Sequence, residues 1–194
     1  DGGAGGVGGG VYNLQNSDPI LTNVLITGNK AAGSGGGIFN LYGSDPVLTN
    51  VTVSGNTASS GGGMRNNTDD NHPIVRNSIF SANTGGNWSN VSGSTVTVDV
   101  YSIVNSDASS LFVNPVSTTE GDYRLKAGSS AINAGNGSYY DVGETPDLSA
   151  INYDLEGKPR ILGGAVDVGA YEYNYLNIAV TAAPAAGGQV TGGG

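Results

Sequence analysis

The residues in this sequence best equipped for chemistry gather in one stretch, RNNTDDNHPIVR, which carries Arg65, Asp69, Asp70, His72 and Arg76. Glycosidic cleavage by acid and base needs two carboxyl groups facing one cleft, about 5 Å apart for a retaining reaction and farther for an inverting one. Acids crowded on a single loop do not oppose one another in that way. His72 is the sole histidine, and a residue directly before a proline is held to extended backbone, which suits a solvated turn residue better than a base. The cluster therefore reads as non-enzymatic. A second set, Asp141, Glu144, Asp147, Asp154 and Glu156, lies in loop-like sequence where calcium would find oxygen ligands at about 2.3–2.6 Å. Its spacing is not that of an EF-hand loop, so a solvated acidic face is the default, a structural calcium the alternative, and no other cofactor is implied. Exposed aromatic rings stack on sugars; Trp88, Tyr139 and Tyr140 are the candidates for glycan contact, with Tyr12 and Tyr42 behind them. The Gly-rich runs are not phosphate loops, because no Gly-Lys-Ser/Thr follows them and no helix begins there.

What must position these residues is a repeat. Gly8 to Asn29 reads GGGVYNLQNSDPILTNVLITGN and returns as 35–56 and 61–83, with Pro19, Pro46 and Pro73, Asn23, Asn50 and Asn77, and Asn29, Asn56 and Asn83 each spaced by 27. Each copy holds a Gly-rich run and short β-branched segments of period 2, without a helical stripe. An all-β repeat of this length predicts a right-handed parallel β-helix, a solenoid of about four coils in which each coil pairs with the coils above and below. The apolar residues then stack in columns: Val11, Ile38, Met64; Leu21, Leu48, Val75; Val24, Val51, Ser78; Ile26, Val53, Phe80. For Leu48, Val51 and Val53 all to face inward, the alternation must slip at Asn50, so the backbone turns a corner there, at a residue that tolerates left-handed backbone. Asn23, Asn50 and Asn77 are expected to form one side-chain ladder at that corner, spaced by about 4.8 Å, and Asn29, Asn56 and Asn83 another. The third copy carries one extra residue between Asn66 and Pro73, a bulge. Tyr12 and Phe39 share a column that would form a stacked aromatic stripe.

After Gly85 the repeat fades, with Val98, Val100 and Ile103 left to supply another coil. After about Leu111 it is gone. The division expected is coils over 1–115, an irregular cap over 116–175 that closes the open end of the solenoid, and a terminal strand or the start of a further β module over 176–194. The first coil reads as cut open, leaving the strand of Val11 with an unpaired outer side.

Charged residues make up 12% of the chain and 34 residues are Gly, so the outer surface is one of Asn, Ser, Thr and Gly. A net charge of −9 argues against nucleic acid or an anionic membrane as partner and admits divalent cations. With no cysteine there are no disulfides or thiolate metal sites. No apolar run is long enough for this segment to insert in a membrane.

The segment GGGIFNLYGSDPVLTNVTVSGNTA resembles the Gly-Gly-Gly-Ile-x-Asn repeats of bacterial surface β-helices, including the polymorphic outer-membrane protein type. The series SLFVNP, GDYRLKAGSSAINAG, YDLEGKPRI and VDVGAYEY resembles the end of the choice-of-anchor Q domains, and the tail NIAVTAAPAAGGQVTGGG is similar to the opening of InlB-type B-repeat modules. Asn67-Thr68-Asp69 resembles a pectinase motif, but its Asp-Asp, Gly-His-Gly and Arg-x-Lys companions are missing downstream. The resemblance implies a non-enzymatic, extracellular or cell-surface bacterial segment acting as stalk, adhesin or filament subunit. Its partners would be flanking domains, or copies of itself through β-strand addition by Ile178, Val180 and Val190, with glycans a further class. The alternative is a β-helix that binds or cleaves polysaccharide.

Overall fold

The structure, a computed structural model, describes residues 6–105, 107–118, 120–143, 147–162 and 164–175. Ile178, Val180 and Val190, the expected assembly strand, lie outside the described residues. Four turns of chain form a parallel β-solenoid. The first comprises β1 (Val11–Leu14), β2 (Ile20–Thr22) and β3 (Leu25–Thr27); the second β4 (Ile38–Leu41), β5 (Val47–Thr49) and β6 (Thr52–Ser54). The third comprises β7 (Met64–Asn66), β8 (Ile74–Arg76) and β9 (Ile79–Ser81); the fourth β10 (Trp88–Asn90), β11 (Thr97–Val98) and β12 (Ile103–Asn105). They assemble three four-stranded sheets, ordered β1-β4-β7-β10, β2-β5-β8-β11 and β3-β6-β9-β12. The 27-residue period appears as pairing register: Val11 beside Ile38, Leu21 beside Leu48, Ile26 beside Val53.

The interior follows from the pleat. One residue in two points inward, and Ile38, Leu48, Val51, Val53, Met64, Val75 and Phe80 are fully buried in one core. The corners need residues that accept left-handed backbone, and Asn23, Asn50 and Asn77 sit there with φ of 55°, 53° and 43°. The Gly-rich runs are required by proximity. A Cβ on Gly36 would lie 2.5 Å from the carbonyl oxygen of Thr57 in the next coil, closer than any side chain tolerates. The extra residue of the third coil is absorbed in a turn where Asn71 Oδ1 accepts from the Thr68 amide and hydroxyl, at 3.0 and 2.8 Å.

The C-terminal segment departs from expectation. It does not plug the end of the solenoid; it lies along the flank, over the outer face of the third sheet. Its short elements, β13 (Phe112–Asn114), β14 (Asp122–Leu125), β15 (Ile161–Leu162) and β16 (Ala165–Val166), form two antiparallel pairs. Leu111, Phe112, Tyr123, Leu125, Ala131 and Val168 close a second core on Ile79, Leu25 and Ile103. Those last three occupy one outward column of the third sheet. An outward apolar column needs a cover, and burying it drives the segment sideways. Thr52, which falls in the same column, is therefore not exposed; it is 1% accessible and its Oγ1 accepts from the Ala170 amide at 3.0 Å.

Candidate functional site

The polar chemistry of the solenoid is organised in columns along its axis. Asn13 Nδ2 donates to Asn40 Oδ1 at 2.8 Å, Asn40 to Asn66 at 2.7 Å, and Asn66 to Asn90 at 2.8 Å. This interior ladder was missed in the sequence, although the asparagine two residues after each Val11-type position marks it. The Asn29 column has the same form. Asn56 Oδ1 accepts from the Asn29 amide and side chain, both at 3.0 Å, and Asn83 Oδ1 accepts from those of Asn56 at 3.0 and 3.1 Å.

The corner column behaves differently, and the expected amide-to-amide ladder of Asn23, Asn50 and Asn77 is corrected. Only a long contact of 3.5 Å joins Asn77 to Asn50. The side chains turn outward to the flanking segment, one coil at a time. Asn23 Nδ2 donates to the Tyr153 carbonyl at 2.7 Å, and Asn50 Nδ2 to those of Asp167 and Gly169 at 2.8 and 3.3 Å. Asn77 both donates to the Asn136 carbonyl at 2.9 Å and accepts its amide at 2.8 Å. Left-handed backbone aims these side chains away from the interior, and the flank supplies carbonyls that would otherwise be buried without donors.

Behind this rail lies a buried ionic cluster that sequence reading missed. Arg160, Glu172, Asp167 and Asp154 are 1%, 1%, 1% and 6% accessible. Arg160 Nε stands 3.2 Å from Glu172 Oε1, an ion pair by distance whose N–H is not aligned as a hydrogen bond. Arg160 Nη2 donates to the carbonyls of Asp167 and Gly169 at 2.8 and 3.1 Å, the two that also receive Asn50. Asp154 accepts the amides of Glu156, Lys158 and Glu172 at 2.8–2.9 Å. Asp167 accepts from Asn133 and Tyr173, and Glu172 Oε1 from the Asp167 amide at 3.0 Å. Burial pushes Glu172 up to about 8 against the pull of the Arg160 guanidinium. Burial raises Asp167 as well, opposed by the amides it accepts. The arrangement fixes a segment whose strands are limited to two short antiparallel pairs.

The residues singled out for chemistry do not converge. Arg65 points along the outside of the first sheet, its Nη1 donating to Ser89 and Ser60 and its Nε to Asn67. Arg76 lies over the Tyr139 ring at 5.3 Å. Asp69, Asp70 and His72 are exposed on the bulge. The Thr68 hydroxyl lowers the Asp70 carboxyl, with the Gly43 amide adding to it. His72 donates its backbone N–H to the Asp45 carboxylate and its Nδ1 lies 2.9 Å from Thr95 Oγ1.

The acidic set considered for calcium does not converge. Among the described residues no three Asp, Glu or His side chains come together to hold a metal. Asp154 is committed to amides, Glu156 pairs with Lys158 at 2.6 Å, and Asp147 accepts from Gly143 and Ser149; Glu144 lies outside the described residues.

Nor are the glycan candidates a platform. Trp88 continues the column of Ile38 and Met64, faces the interior and meets Phe80 edge-on at 5.5 Å. Tyr139 donates to Asp99 at 3.0 Å and Tyr140 to Asn50 at 2.8 Å, both partly buried between flank and coils. Tyr12 does stack on Phe39, with centroids 5.4 Å apart and planes at 5°. A cleft of about 280 Å³ on the flank is lined by Arg124, Lys158, Leu125 and Tyr173. No helix among the described residues is long and apolar enough to cross a membrane. Compared with known protein families, curated proteins and solved structures, the chain finds no match.

Proposed function

We propose that this chain is a non-catalytic segment of an extracellular bacterial surface protein and serves as a stalk that holds flanking domains away from their anchor. The observation that carries this reading is the continuity of the columns: apolar core and amide ladder run through all four turns, which makes a rod whose length scales with the number of coils. Its buried charges are engaged in fastening the flank, and the acids outside it are dispersed. Two measurements test the reading. Mild protease treatment of intact cells should release peptides of this chain, and retention of all of them until lysis would overturn a surface location. Incubation with a panel of polysaccharides should release no reducing sugar; release that Asp70→Asn abolishes would establish cleavage instead.

A second reading, an adhesin that binds glycans without cleaving them, is favoured by one observation: Tyr12 stacks on Phe39 yet keeps 46% of its surface exposed, an aromatic face of the kind that sugars cover. Glycan-array binding lost on Tyr12→Ala would select it over the stalk.

A further inference from the structure

The cleft of about 280 Å³ on the flank joins two kinds of wall. One is apolar, formed by Leu125, Tyr173 and Val113, the last 53% exposed. The other carries Arg124, Lys158 and Glu172. Its two cations bring their own counter-charges, since Arg124 Nε donates to Asp122 at 2.9 Å and Lys158 Nζ stands 2.6 Å from Glu156. Donors and acceptors therefore alternate at the mouth. Glu172 differs, because its side chain is buried and only one of its oxygens is engaged. Oε1 lies 3.2 Å from Arg160 Nε and accepts from the Asp167 amide at 3.0 Å, whereas Oε2 has no hydrogen-bond partner among the described residues. Oε2 is the oxygen left to the cleft. Protonated, it is a donor without an acceptor; ionised, it is an acceptor without a donor. A buried oxygen in either state calls for a partner.

We propose that this cleft binds one neutral sugar residue of a glycan, its C–H face against Tyr173, Val113 and Leu125 and its hydroxyls among Arg124, Lys158 and Glu172 Oε2. A hydroxyl both donates and accepts, so it satisfies Glu172 in either state. Neighbouring hydroxyls on a ring suit a carboxylate paired with a cation, which presents an acceptor beside a donor, and an aromatic and aliphatic wall suits the ring's apolar face. An anion fits less well. Asp122 and Glu156 already hold the two cations, and the further acids Asp154 and Asp167 lie behind Glu172, accepting or donating through the same backbone. The volume falls just under the range of about 300–1,000 Å³ of drug-sized ligands, which limits the occupant to about one ring. The site is separate from the Tyr12 face and rests on neither the stalk nor the adhesin reading.

Saturation-transfer NMR of the full chain tests this with the methyl glycosides of glucose, galactose and mannose, and with glucuronate and galacturonate, each up to about 10 mM, the range in which a single-ring site binds. At least one neutral glycoside should bind, with a Kd of about 1 mM. Val113→Asp, which charges the apolar wall at an exposed position, should weaken it at least about tenfold, and Lys158→Ala, which removes a donor, about fivefold, both with the melting temperature unchanged. Should Val113→Asp fail to fold, Lys158→Ala decides alone. No binding by any neutral glycoside, binding by the uronates only, or binding that both variants leave intact would overturn the site. So would binding that Tyr12→Ala abolishes, because the sugar would then sit on the exposed aromatic face instead.

Discussion

The coils and the flanking segment solve the same problem, burying polar backbone, by opposite means. In the coils whole columns of polar groups find their equivalents one turn away, so that Ser54 meets Ser81 at 2.9 Å and Asn40 meets Asn66. In the flank there is no equivalent, and unique groups must serve: one guanidinium, three carboxylates and a rail of three asparagines borrowed from the coils. Repetition spreads stability over many similar bonds, whereas the flank concentrates it in a few residues. A substitution should accordingly cost most where nothing repeats.

The sharpest break in this contrast is Arg160→Met, measured above about pH 8 where Glu172 is ionised, since it leaves that carboxylate buried without its cation and the Asp167 and Gly169 carbonyls without the guanidinium. Removing one partner of a buried pair costs about 3–5 kcal/mol. In urea unfolding the free energy extrapolated to water should fall by that amount and the midpoint drop with it, with limited proteolysis cutting within 116–175 before any coil. Coils cut first would show that the flank is not the weaker partner. Asn50→Leu comes next, since it removes the acceptor for Tyr140, a donor to two flank carbonyls and a residue at ease with positive φ. The expected loss is about 2–4 kcal/mol, and a change within error would separate rail from flank.

The acidity of the cluster gives the contrast a pH axis. Unfolded, Glu172 titrates near 4.5, and in the fold burial raises it to about 8, so between those values the folded state holds the proton more tightly. Its contribution to stability is complete below about pH 4.5 and is lost as pH climbs through 8, and the raised Asp167 acts in the same sense. Thermal melts across this window should show the decline, and Glu172→Gln should flatten it; an unchanged slope would remove Glu172 as its source. A smaller effect is expected at Thr52, where Val loses the bond to Ala170, costing about 1–3 kcal/mol, while Ser keeps the hydroxyl. Asp70→Asn, on the exposed bulge, should leave the melting temperature where it is.

The coils were legible because one spacing recurs: the same 27 that aligns Pro19 with Pro46 is the pairing register of the sheets. Trp88 escaped the reading where that spacing contracts, since it lies 24 residues beyond Met64, in GGNWSN, yet pairs with it directly. The flank had no period to betray it, and its ionic cluster joins residues that sequence separates. One signal was available: Leu25, Ile79 and Ile103 all fall on the outward parity of their strands, and an apolar column facing out asks for a cover. The corner asparagines were placed correctly at the turn but read as bonding among themselves, because their real partners lie 59 to 130 residues away.

That last separation bears on the order in which the chain can fold. Coil-to-coil bonds close over 24 to 27 residues, short enough for each turn to settle on the one before as it is made. The bond from Asn23 to Tyr153 spans 130, and loops of that length close late. Until they do, the corner amides face water, which satisfies them, so the growing rod passes through no stage in which they are buried without partners. The flank is then the finishing step, and the rail of left-handed asparagines is the track along which a completed rod is recognised and locked.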